Sequence, residues 1–390
     1  MNILFVNTIP FNPCYGGIER VTDQLTKYLM SHFQYKVYYL ICEECDKAIY
    51  EYSFPTTLFH LPSKTNIFHN RSYIARLVAE YDIDVIVNQR GQSAFIHECI
   101  KTSNVKIISV IHSKPSAFIE WELLRILSSS TTLIKRMVKT LIYPVLYYKT
   151  KLVCTRYFAK HFLRVMQESS SLVLLSNKYI ADLEQIVGVD LSTYNIAGIP
   201  NPNTFLDSEC IFKRKDNIIL YVGRLSQGEK NPLRLLKIWE QLYCKYLDWK
   251  LVIVGDGDAM SMMKNYIVRK KLQRVIFSGP QDNVIEYYKR ADFICLTSNF
   301  EGWGMSLTEG MQCGCIPFTF NNYAAASDII DDGINGCLIK PYDLCEYASK
   351  LATLMSNDKL RHKMSAAAKI KVREFDIDKI SFNWVTLFNR

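Results

Sequence analysis

No stretch of this chain approaches the ~20 consecutive apolar residues that a membrane-spanning helix needs. Nor does its start read as a secretory leader, because the apolar run Ile3 to Val6 is too short for the core of one. The cysteines lack partners of the metal-binding kind. Cys42 and Cys45 have C-x-x-C spacing and Cys313 and Cys315 are close, but neither pair is matched by a second, which disfavours structural zinc. Scattered cysteines without a leader read as reduced thiols of a cytosolic protein. There is no internal repeat of fixed period and no low-complexity tail. One absence is local: from Leu123 to Gln167 there is neither Asp nor Glu.

What is present is a soluble, globular composition, 49% hydrophobic and 22% charged. A chain of 390 residues exceeds one ordinary core and points to two domains. Short apolar runs alternate with helical patterns. Ile3–Asn7, Lys36–Ile41, Val85–Asn88, Lys106–Ile111 and Leu172–Leu175 read as buried parallel strands of a first half. Ile218–Val222, Leu251–Val254, Val275–Ser278, Phe293–Thr297 and Ile316–Thr319 do so in a second. Helical patterns between them include Gly17–Ser31, Pro232–Tyr246 and Ser306–Gln312. This alternation predicts two doubly wound α/β domains. The Pro/Asn cluster Ile199-Pro200-Asn201-Pro202-Asn203 marks the junction, giving domains 1–200 and 201–375.

The net charge of +9 is concentrated in the acid-free stretch. Arg125, Lys135, Arg136, Lys139, Lys149, Lys151, Arg156, Lys160 and Arg164 alternate there with bulky apolar residues such as Leu141, Tyr148 and Phe158. Basic residues on one helical face and apolar ones on another describe an interfacial amphipathic helix drawn to anionic lipid. The plainer reading is a pair of surface helices whose apolar side is core. No nucleic-acid-binding motif accompanies the charge.

The densest motif runs from Asn299 to Gly314, NFEGWGMSLTEGMQCG. Glu301 and Glu309 are separated by seven residues. A strand leads into the Gly-rich turn Glu301-Gly302-Trp303-Gly304, and a helix leads out. A strand, a Gly turn and a helix N-terminus form an anion site. Carboxylates beside a bound phosphate suit hydroxyls, and a phosphate next to hydroxyl-reading carboxylates describes a sugar nucleotide. The stretch resembles the E-x7-E motif of retaining glycosyltransferases with the GT-B fold, family 4, of the bacterial surface-polysaccharide type. Gly16-Gly17-Ile18-Glu19-Arg20, Ile111-His112, Ile199-Pro200-Asn201, Gly223-Arg224 with Lys230, and Val254-Gly255-Asp256-Gly257 agree with that pattern in order along nearly the whole chain.

The resemblance implies two Rossmann-like domains facing across a cleft, with a C-terminal helix at about 376–390 packing back on the first. Arg224 and Lys230 would clamp the donor diphosphate and stabilise the leaving group; otherwise they are solvated surface cations. Glu309 would accept from ribose hydroxyls, and Glu301 would sit by the donor sugar. Gly304, Met305 and Ser306 would offer backbone N–H groups, and Gly17 would lie over the donor. Pro280, in Gly279-Pro280-Gln281, would read the nucleobase. His112 would touch the sugar or nearby catalytic groups, with a satisfied structural histidine as its plain alternative. Lys135, Arg136, Lys139, Lys149 and Lys151 would face the acceptor's membrane.

The reaction implied moves a hexose or N-acetylhexosamine from a nucleoside diphosphate sugar, UDP-linked, to a lipid-linked or growing glycan. It would use no metal or other cofactor, so the D-x-D strings Asp82-Ile83-Asp84 and Asp256-Gly257-Asp258 would be turns. Partners would be the nucleotide sugar, a glycan or polyprenyl-linked acceptor and an anionic membrane surface, without nucleic acid. The protein would sit peripherally on the cytoplasmic face. A sugar-nucleotide 2-epimerase of the same fold is the alternative. A nicotinamide-dependent oxidoreductase fits poorly, because Met260 occupies the third glycine position after Gly255 and Gly257.

Overall fold

The computed structural model describes all residues except 14–15, 43–51, 53, 102–104, 129–132 and 212–214; the side chains of 124–128 and 133–143 also lie outside the described residues. The chain divides into two compact units. One comprises Met1–Pro202 together with Ile377–Arg390, and the other Asn203–Asp376.

The first unit is built on a parallel sheet ordered β3-β2-β1-β4-β5-β6-β7. Its strands are β1 (Asn2–Asn7), β2 (Lys36–Ile41), β3 (Thr57–His60), β4 (Val85–Asn88), β5 (Lys106–Ile111), β6 (Ser171–Leu174) and β7 (Ile196–Gly198). The second unit has a parallel sheet ordered β10-β9-β8-β11-β12-β13. Its strands are β8 (Ile218–Val222), β9 (Lys250–Val254), β10 (Val275–Gly279), β11 (Phe293–Cys295), β12 (Ile316–Phe320) and β13 (Cys337–Ile339). Central strands such as Ile3-Leu4-Phe5-Val6 are wholly buried, as a sheet covered on both faces demands. Both units are therefore doubly wound α/β. Their strand order reverses between β1 and β4, where Phe5 pairs with Val87, and between β8 and β11, where Ile219 pairs with Phe293.

The helix Ile377–Asn389 closes the first unit. Its Ile380, Trp384, Leu387 and Phe388 join Ile3, Phe5, Leu25 and Leu29 in one apolar cluster. Lys106 Nζ donates to the carbonyls of Leu387 and Phe388 at 2.9 and 3.1 Å, satisfying acceptors that the helix end leaves open.

The basic stretch departs from the sequence reading in the placing of its apolar residues. It spans the end of the helix Ala117–Ser128 and a 36-residue helix, Leu133–Glu168, that runs through Pro144. In its described part the apolar residues do not form a separate face. Val145, Tyr148, Leu152, Val153 and Tyr157 are exposed, and Lys149, Lys151, Arg156 and Lys160 are exposed with them. Spacings of three and four residues place Val145, Lys149, Leu152 and Arg156 along one stripe. The far face is anchored by His161, Phe162, Val165 and Met166, all buried. Among the described residues, no helix is long and apolar enough to cross a membrane.

Candidate functional site

In open α/β sheets, ligands bind beyond the carboxyl ends of the strands where the order reverses. In the second unit that point lies between β8 and β11, and the loops leaving these strands are stitched together. The Asn299 backbone N–H donates to Glu229 O at 2.8 Å, and its side-chain amide donates to Gly228 O at 2.7 Å. Within the β8 loop, Ser226 Oγ accepts from Lys230 N at 3.1 Å.

This stitching brings Lys230 and Glu301 together from positions far apart in sequence. Lys230 Nζ lies 2.7 Å from Glu301 Oε2 and 3.1 Å from Glu229 Oε1. Ser298 Oγ donates to the other oxygen of Glu301 at 2.6 Å. Burial alone would lower the Lys230 pKa, but the carboxylates of Glu301 and Glu229 outweigh it and hold the ammonium above its ordinary value. Arg224 is more open, with 68% of its side chain exposed, and its Nη2 is 3.1 Å from Glu229 Oε2. The sequence reading missed Glu229, although it sits next to Lys230 in the chain.

Gly304 adopts φ 91°, a left-handed conformation that favours glycine, and opens the helix Met305–Gln312. The positive end of that helix dipole faces the loop carrying Glu301. Met305 and Ser306 in its first turn are half-buried. Glu309, further along the helix, is buried and accepts from two hydroxyls of the protein itself. Tyr288 Oη donates to it at 2.8 Å and Thr204 Oγ1 at 3.1 Å. Pro280 is exposed just beyond β10, the edge strand two places from β8. Trp303 is buried with its ring edge-on to Phe375, centroids 4.9 Å apart, and its Nε1 has no partner among the described residues.

The glycines after β9 have a packing role. A Cβ at Gly255 would lie 2.0 Å from Gly223 O, and one at Gly257 would lie 2.5 Å from Leu225 O. The β8 and β9 loops touch through bare backbone, and this closeness requires the G-x-G string. Its aspartates brace the same loops: Asp258 accepts from Gln227 N at 3.0 Å, and Asp256 accepts from Gly257 N at 2.7 Å. Asp84 accepts from Asn2 N at 2.7 Å. Among the described residues, no group of three or more His, Cys, Asp or Glu is placed to hold a metal.

The first unit carries a different cluster at its own reversal point. Asn7 ends β1 and donates through Nδ2 to Glu19 Oε1 at 2.9 Å, while Arg90 Nε donates to Asn7 Oδ1 at 2.7 Å. Gly17 starts the helix Gly17–Phe33 and is exposed. Gly16 before it leaves room for Glu19, whose Oε2 would be 2.8 Å from an added Cβ. His112, beyond β5, shares a short hydrogen bond between its Nε2 and Gln89 Oε1, and its buried Nδ1 has no partner among the described residues. Burial, reinforced by the nearby Arg90 charge, pushes the His112 pKa down to about 3. A pKa that low leaves His112 offering hydrogen-bonding nitrogens instead of charge. Gln89 and Arg90 were not foreseen; the polar Asn88-Gln89-Arg90 string at the end of an apolar strand was the available signal. Lys149 and Lys151 lie on the exposed face of the long helix. The side chains of Lys135, Arg136 and Lys139 lie outside the described residues.

Comparison with known proteins finds similarity in the second unit. Residues 206–371 match the family model of glycosyl transferases group 1. A glycosyltransferase of Haemophilus influenzae is 31% identical over 193 residues, 49% of this chain and 54% of that protein. An α-1,4-N-acetyl-D-galactosaminyltransferase of Campylobacter jejuni, named for a diphosphoundecaprenol-linked glycan, is 30% identical over 174 residues, 44% of this chain and 48% of its own. The chain thus spans about half the length of these curated relatives. The crystal structure of Anabaena HepE in complex with UDP and glucose aligns with a TM-score of 0.73 at 16% identity, over 100% of this chain and 99% of that one. The fold is GT-B, and residues 206–371 are similar to glycosyl transferases group 1.

Proposed function

We propose that this protein is a retaining glycosyltransferase that moves a hexose or N-acetylhexosamine from a UDP-sugar to a lipid-linked or growing surface glycan. The observation that carries the reading is the pairing of Lys230 with Glu301 across the β8/β11 reversal point, beside the exposed Arg224. Two cations on one loop suit a diphosphate, and they stabilise the negative charge that builds on it as the glycosidic bond breaks. They supply the positive charge for that step, and no metal enters the reading. Glu301 and the hydroxyl-bonded Glu309 supply acceptors for sugar and ribose hydroxyls. Support for UDP comes from the HepE complex, and support for a lipid-linked acceptor from the name of the Campylobacter relative. The exposed face of the long helix, basic and apolar together, suits an anionic membrane surface carrying such an acceptor.

The test is a thermal-shift panel of UDP, GDP, ADP and UDP-sugars on the wild type and on Glu309→Ala. Stabilisation by one nucleotide class that is lost in the variant supports the donor site and names the base. No stabilisation by any nucleotide would overturn the reading. Incubating the UDP-sugar alone and analysing the sugar separates transfer from 2-epimerisation.

A further inference from the structure

Glu229 stands between the two cations assigned to the donor. Its Oε2 is 3.1 Å from Arg224 Nη2 and its Oε1 is 3.1 Å from Lys230 Nζ. One anionic group with an oxygen on each cation is the contact a bridging phosphate makes. The two carboxylates bonded to Lys230 differ in freedom. Glu301 has only 6% of its side chain exposed and is held by Ser298 as well, whereas Glu229 has 28% exposed. The backbone at Glu229 is pinned by Asn299, so its side chain can leave without the loop moving.

Resting on the diphosphate reading of Arg224 and Lys230, we propose that Glu229 is a built-in stand-in for the donor's diphosphate. It holds both cations in register while the site is empty, yields them when the diphosphate enters, and recaptures them as the nucleoside diphosphate leaves. The charges make this an exchange. Arg224 and Lys230 are balanced by Glu229 and Glu301, so the empty loop has no net charge to attract stray anions. An incoming ligand must outcompete an internal carboxylate on both cations, which favours a diphosphate over a weakly charged anion. Once displaced, Glu229 sits beside like charge and is repelled from it, which speeds product release.

Glu229→Gln keeps the volume and the pinned backbone but removes the competing charge. Titration calorimetry with UDP and with inorganic pyrophosphate is expected to show this variant binding both more tightly, on the order of fivefold, the scale of partly exposed ion pairs. In turnover, KM and kcat should fall together, because release slows. Glu229→Asp, whose shortened carboxylate reaches one cation only, should fall between the two and guards against a folding artefact of the first variant. Lys230→Gln is the control for the underlying reading and should lose binding of both ligands. Weaker or unchanged binding in Glu229→Gln, with binding lost in Lys230→Gln, would show that Glu229 merely orients the cations; that outcome overturns the stand-in and leaves the diphosphate site intact. Wild-type protein that binds neither ligand would overturn both.

Discussion

The two reversal points share a topology and differ in chemistry. At β1/β4 the cluster is closed on itself: Arg90 is spent on Asn7 and Glu19, and His112 is neutral with one acceptor nitrogen unmet. At β8/β11 two cations share two carboxylates, with Arg224 mostly exposed and Lys230 held between Glu229 and Glu301. Strand order decides where a ligand can sit, and the loop residues decide which ligand. A neutral hydrogen-bonding cluster suits an uncharged sugar, whereas a cation pair suits phosphate.

Lys230→Ala is the strongest challenge to this contrast. It should cut turnover with a UDP-sugar by about 10²–10³-fold, the scale of removing one transition-state charge partner. His112→Asn, which keeps a hydrogen-bonding side chain, should cost much less. Steady-state kinetics on both variants checks the order; a larger loss at His112 would reverse the assignment of roles. The close approach of backbone is also unequal. Gly255→Ala should destabilise by about 2–4 kcal/mol, because its Cβ would meet Gly223 O at 2.0 Å from a φ of 132°. Gly91→Ala, with a 2.9 Å approach to Val110 O, should cost less. Urea unfolding of the pair measures the difference.

Acid sharpens the comparison further. The His112 pKa in the folded protein lies below its unfolded value of about 6.5. The unfolded chain therefore binds the proton first, and this contribution to stability is present above about pH 6.5 and lost as pH falls toward 3. His97 and His161, also lowered by burial, act in the same direction. The stability of His112→Asn should fall less steeply across that window, as read from denaturant midpoints at several pH values. The smallest effect belongs outside both clusters. Lys149→Gln with Lys151→Gln should weaken flotation with anionic vesicles by roughly 1 kcal/mol per charge and leave UDP binding unchanged.

Most of the fold was legible because central strands are apolar on both faces. The strands that escaped, β3, β7 and β13, are all sheet edges. An edge strand is covered on fewer sides, so Thr57–His60 and Ile196–Gly198 are only partly buried and lack the uniform apolar signal. The long helix was misjudged for a related reason. Its apolar side chains do not all face a core, so hydrophobic periodicity could not show which side was covered. At the site, Arg224, Lys230 and Glu301 were readable as motif residues. Glu229 and Gln89 were not, because their importance comes from what lies across a loop, and pairing across loops leaves no spacing in one sequence.

The helix Ile377–Asn389 gives the order of synthesis a consequence. The first unit is begun first and completed last, since Trp384 and Phe388 emerge only after all of Asn203–Asp376 has been made. The second unit is continuous and can fold on the ribosome while the first waits with Ile3, Phe5 and Leu29 uncovered. A premature stop near residue 376 would therefore spare the unit it ends in and cripple the one made earliest. Supplying the missing helix in trans as a peptide is the corresponding route to rescue.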